Sequence, residues 1–123
     1  MKTNAINWFE IFVSDLDRAK SFYEKILGRS LGSASCSECR MAVLAEGGQT
    51  GTGGAIVQMA GHQPGPGGTL VYLDVEGDLD GVLRRIPEAG GKVVRERTAI
   101  PPHGFIAIFE DPEGNVVGLH SMT

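Results

Sequence analysis

Basic runs, long apolar stretches and cysteine are all scarce in this chain of 123 residues. Eleven Lys and Arg stand against fifteen Asp and Glu, giving a formal net charge of −4, and the basic residues are scattered. With no basic stripe to follow a phosphate backbone or an anionic bilayer, the composition speaks against nucleic acid and membrane surfaces as partners. The N-terminal stretch INWFEIFV is interrupted by Glu10 and is too short to span a bilayer. It also lacks the charged lead and long apolar run of an export signal, so a cytoplasmic location is expected. Cysteine is limited to Cys36 and Cys39, a lone CxxC. Structural zinc sites take four thiolate or imidazole ligands, and neither His62 nor His103 stands at ligand spacing from this pair. Two reduced thiols in a strand or turn are the expectation.

What is present is ordinary globular material. The apolar fraction of 41% supports one compact domain, or two small halves sharing a core. Residues 5–13, AINWFEIFV, are rich in β-branched and aromatic side chains and read as a strand. SDLDRAKSFYEKILG reads as a helix, with Ser14 as N-cap, Asp15 and Asp17 at its positive end and Gly28 just past its end. Leu16, Ala19, Phe22, Tyr23, Ile26 and Leu27 recur at helical spacing on one side of it. Strands are expected near 30–35, 40–46 and 54–60, with Gly-rich turns between them.

The Pro/Gly-dense stretch GHQPGPGG, residues 61–68, reads as a linker. Like GQTGTGGA at 48–55, it neither precedes a helix nor carries a P-loop lysine, so both read as flexible turns rather than phosphate cradles. After the linker, TLVYLDVE reads as a strand and GDLDGVLRRIPEAGG as a helix that Pro87 should kink or shorten. KVVRERTAI, GFIAIFED and NVVGLHS complete the set as strands. The order strand–helix–strand–strand–strand is therefore written twice, with Asp15-Leu16-Asp17 echoed by Asp78-Leu79-Asp80.

FVSDLDRAKSFYEKILG at 12–28, VYLDVEGDLDGVLRRIPEAGG at 71–91 and FEDPEGNVVGLH at 109–120 resemble, in that order and spacing, the vicinal oxygen chelate superfamily of glyoxalases, bleomycin-resistance proteins and extradiol dioxygenases. The resemblance implies an α+β fold of two tandem βαβββ modules whose curled sheets form a cleft, commonly in a homodimer. It divides residues 1–123 into module 1 (about 5–60), a linker (61–68) and module 2 (about 69–121). Fold transfers well in such a family, whereas function does not. Metal-using members take one ligand from the first and last strand of each module, and those positions fall here on Trp8, Gln58, Leu70 and Gly118. Of these only Gln58 can donate an oxygen, and a neutral amide alone does not hold a divalent cation. No metal or other cofactor is expected.

Alternation along the strands extends that face. Ile6, Trp8, Glu10 and Phe12 share it on the first strand; Leu70, Tyr72 and Asp74 on the fifth; Ile56, Gln58 and Ala60 on the fourth; Val116, Gly118 and His120 on the eighth. The cleft is thus expected to present Trp8, Phe12, Ile56, Gln58, Leu70 and Gly118 to a ligand, with Glu10, Tyr72 and His120 as candidates for acid–base work. Trp8 either stacks on a ligand or fills the room of an absent metal. Glu10 is either a tuned base or a solvated carboxylate. Three functions remain open at this point. The leading one is a metal-independent protein binding an apolar or aromatic small molecule in the inter-module cleft. The second is a lyase or isomerase using Glu10 as base, and the third an accessory domain whose cleft is unused.

Overall fold

A computed structural model of the chain describes residues 8–36, 38–47, 51–67 and 69–123. The strand and helix order expected from sequence is present as β1 (Trp8–Phe12), α1 (Leu16–Leu27), β2 (Gly32–Cys36), β3 (Cys39–Ala45) and β4 (Gly53–Met59). After the linker come β5 (Tyr72–Asp74), α2 (Leu79–Ala89), β6 (Lys92–Ala99), β7 (Phe105–Glu110) and β8 (Val116–Ser121). They form two four-stranded sheets of identical plan, β1-β4-β3-β2 and β5-β8-β7-β6. In each, the first strand pairs parallel with the last and the remaining pairs are antiparallel. The fold is therefore α+β, built from two βαβββ modules.

Each helix covers one face of its own sheet, and the two helices pack on one another. One continuous apolar core results. It runs from Ile11, Val13, Phe22, Tyr23 and Ile26 through Leu73, Val75, Leu79 and Ile86 to Phe109 and Leu119. The cap of α1 is Asp15 rather than Ser14: the Asp15 carboxylate accepts from Arg18 N at 3.1 Å. Ser14 is instead engaged by module 2, whose Glu113 carboxylate accepts from Ser14 N at 2.7 Å and from its hydroxyl. Pro87 sits in the last turn of α2 without ending the helix there.

The turn DPEGN between β7 and β8 does more than reverse the chain. Asp111, 4% exposed, accepts from Glu113 N and Asn115 N at 2.9 Å each, which closes the turn on itself. Its other oxygen accepts from the Tyr23 hydroxyl of α1 at 2.8 Å. Asn115 donates to Phe12 O at 2.7 Å and accepts from Gly65 N at 2.9 Å, so a single amide joins β1, the linker and β8. Glu113 also pairs with Arg18. A buried, fully satisfied polar cluster of this kind fixes one relative placement of its elements.

The CxxC lies on the β2–β3 hairpin, where Cys36 and Cys39 face one another in register. Cys39 is disulfide-bonded. The expectation of reduced thiols is thereby corrected. No helix among the described residues is long and apolar enough to cross a membrane.

Candidate functional site

The face of each sheet turned away from the helices is the candidate cleft. On β1 the alternation places Phe9 and Ile11 against the core and leaves Trp8, Glu10 and Phe12 on the other side. Leu73, Val75, Val117 and Leu119 go to the core, so Leu70, Tyr72, Asp74, Val116, Gly118 and His120 share the opposite face of the second sheet. Ile6 lies outside the described residues.

The fourth strand departs from expectation. Ile56 is fully buried in the helix-side core, and Gln58 Oε1 accepts from Leu16 N at 2.9 Å, at the start of α1. Both therefore face the helices, not the cleft. Ala55, Val57 and Met59 take the cleft face, where they pack with Phe12, Met41 and Cys39. The pairing Ile11↔Ile56 enforces this, because partners in register point to the same side. Little in the sequence fixed the phase: Gly53 to Val57 of this central strand are buried on both faces, and Gln58 is its one polar side chain.

This register also relocates one of the four positions from which metal-using relatives would draw a ligand. In the second module Tyr72 pairs with Gly118; in the first, the equivalent Glu10 pairs with Ala55. The set is then Trp8, Ala55, Leu70 and Gly118. Ala55 is fully buried, and a Cβ at position 118 would lie 2.3 Å from the Tyr72 ring. None of the four side chains offers oxygen, imidazole or thiolate to a cation, and the residues do not fit a divalent metal.

Among the described residues, two cavities lie along the edge strands β1 and β5. One, of about 700 Å³, follows the open edge of β5 and is lined by Leu70 and Tyr72 together with helix-side residues such as Leu44 and Val82. The other, of about 590 Å³, lies between β1, the linker and the start of β8, and is lined by Glu10, Phe12, Gln63, Thr69, Asn115 and Val116 among others. Phe9, Thr69 and Val71 line both. The predicted residues thus divide: Leu70 and Tyr72 border the first, Glu10 and Phe12 the second.

Local contacts orient several of them. Trp8 Nε1 donates to Glu10 Oε2 at 3.1 Å, tying neighbouring members of one strand face. The Phe12 ring packs against His62 of the linker, with centroids 4.7 Å apart. His120 Nε2 lies 2.6 Å from His103 O, a bond in which the ring nitrogen is the donor. That contact ties His120 to the β6–β7 loop. The linker, whose composition reads as flexible turns able to cover the cleft, walls the second cavity with Gln63, Gly65 and Gly67.

Comparison with known proteins agrees with this architecture. A family model described as the Glyoxalase/Bleomycin resistance protein/Dioxygenase superfamily matches residues 5–119. The crystal structure of a glyoxalase/bleomycin resistance protein from Streptomyces sp. CB03234 is similar at 30% identity and a TM-score of 0.69, covering 94% of this chain and 99% of that one. The fosfomycin resistance protein FosX from Listeria monocytogenes shares the fold at 17% identity and a TM-score of 0.68, over 99% of this chain and 96% of its own. A putative glyoxylase, CFP32, of Mycobacterium bovis is 29% identical over 116 residues, which are 94% of this chain and 43% of that protein. The chain spans less than half the length of the curated relatives it matches.

Proposed function

The chain belongs to the Glyoxalase/Bleomycin resistance protein/Dioxygenase superfamily, and from that premise we propose that it is a metal-independent small-molecule-binding protein. The ligand is apolar or aromatic and sits in the inter-module cleft. One correspondence supports the reading: taking the ligand positions that the resemblance implies, with the fourth-strand one set by the strand register, they fall on Trp8, Ala55, Leu70 and Gly118. Lewis-acid activation of paired substrate oxygens needs an ion held by several hard or borderline donors, and this set supplies none.

The remaining equipment suits binding. Trp8, Leu70 and Tyr72 are large apolar surfaces, 40%, 37% and 42% exposed, and Leu70 and Tyr72 border the first cavity. Such patches mark ligand or partner surfaces in small proteins. Assembly as a homodimer belongs to the same reading, because β1 and β5 are both open sheet edges. An acid–base enzyme has less support: neither Tyr72 nor His120 lines the cavity that Glu10 lines.

Elemental analysis of the purified protein, after exposure to zinc, nickel, iron and manganese, tests the reading. Sub-stoichiometric metal is the expected result. Retention of one equivalent through dialysis overturns it.

A further inference from the structure

We propose that the cavity between β1 and the linker selects a small organic ammonium compound with an aromatic or apolar body, held by Glu10. The inference rests on the small-molecule-binding reading and names the ligand class for the same site. Its starting point is a charge imbalance. Among the residues lining the cavity of about 590 Å³, Glu10 alone carries a charge. Among the described residues, no Lys, Arg or His forms an ion pair with it.

Strand geometry adds the second element. Trp8 and Phe12 flank Glu10 at i−2 and i+2, so all three project from one face of β1. The indole N–H holds Oε2 at 3.1 Å, which orients the carboxylate and leaves Oε1 to a ligand donor. A cation bonded to Oε1 then lies in the cavity that the Phe12 ring lines, and the face of such a ring attracts positive charge. The Phe12 ring is itself held by His62 of the linker at 4.7 Å. An anion in the same place would meet an uncompensated carboxylate, and a neutral ligand would leave that carboxylate desolvated and unpaired. The apolar walls, Phe12, Val71 and Val116, take the body of the ligand, in a volume ordinary for small-molecule sites.

Three matched probes test the assignment by calorimetry: phenethylammonium, 2-phenylethanol and 3-phenylpropionate. Trp8 is the only tryptophan, so its fluorescence reports that binding occurs at this face. At low salt the ammonium should bind about tenfold tighter than the alcohol, and the carboxylate weakest. Glu10→Gln keeps the shape and an acceptor for the indole; it should bring ammonium affinity down to that of the alcohol and so erase the preference. Phe12→Leu should reduce ammonium affinity more than alcohol affinity. Equal affinity for ammonium and alcohol, or a preference that persists in Glu10→Gln, overturns the ligand class while the binding reading stands. Failure of all three probes to bind at millimolar concentration overturns both.

Discussion

The Tyr72 ring occupies the space above Gly118: a methyl group at position 118 would lie 2.3 Å from ring carbon Cδ1. The two residues are partners in the parallel β5–β8 pairing, so an aromatic side chain lies beside a glycine on the cleft face. Glycine is needed here for that approach and not for its backbone freedom, since its φ lies outside the left-handed region. The glycine on the last strand and the tyrosine on the fifth are thus one arrangement.

Substituting Gly118→Asp should therefore destabilise the fold by about 1–3 kcal/mol, the usual cost of overpacking a closed contact. Tyr72→Ala in the same chain should recover most of the loss, because the neighbour that must move is gone. A double-mutant cycle by urea denaturation measures the coupling. A neutral Gly118→Asp would show that the ring yields freely.

Gln58 receives the N–H of Leu16 at the start of α1, on the side of the sheet away from the cleft. Gln58→Leu should cost about 1 kcal/mol, the worth of a helix-start hydrogen bond. Affinity for any cleft ligand should stay the same. A large affinity change with unaltered stability would place Gln58 on the other face.

Tyr23 is fully buried and donates to Asp111. Burial first, and then the adjoining carboxylate, raise its pKa well above the ordinary value of 10.0. A raised folded-state pKa means that the native state holds this proton more tightly than the unfolded chain. Stability is then complete below pH 10 and falls as pH climbs past it toward the folded value. Tyr23→Phe should flatten this alkaline decline while costing about 1–2 kcal/mol at neutral pH through the buried acceptor it leaves. Urea midpoints from pH 8 to 11.5 for both proteins provide the check.

Glu113 supplies the opposite limb. Burial pushes its carboxyl up, but hydrogen bonds from Ser14 and the pairing with Arg18 outweigh that and hold it below the ordinary 4.5. A depressed pKa stabilises the fold above the unfolded value, and that contribution is lost as pH falls through the folded one. Glu113→Gln should lower stability at pH 7 and flatten its acid dependence between about pH 5 and 3. An unchanged acid limb would remove Glu113 from the clasp.

The legible part of this molecule is the part governed by one-sided patterning. Strands β1, β5 and β8 each put a polar or open face against an apolar one, so Trp8, Glu10, Leu70, Tyr72 and Gly118 could be assigned a side from alternation. The helices were legible from spacing and from their glycine ends, Gly28 and Gly90, both in the left-handed region. Strand β4, apolar on both faces, carried no such phase, and Ile56 and Gln58 fell on the wrong side.

By itself the sequence determined the duplicated βαβββ order and the helix faces, because these follow from local periodicity and residue chemistry. Tertiary structure alone decided three things. The parallel register of β1 and β4 put Ala55 opposite Glu10. The docking of Asp111 and Asn115 onto Tyr23 and Phe12 locked module to module. The linker walled the cavity beside Glu10. Each depends on contacts between residues far apart in the chain, whose partners no local pattern encodes.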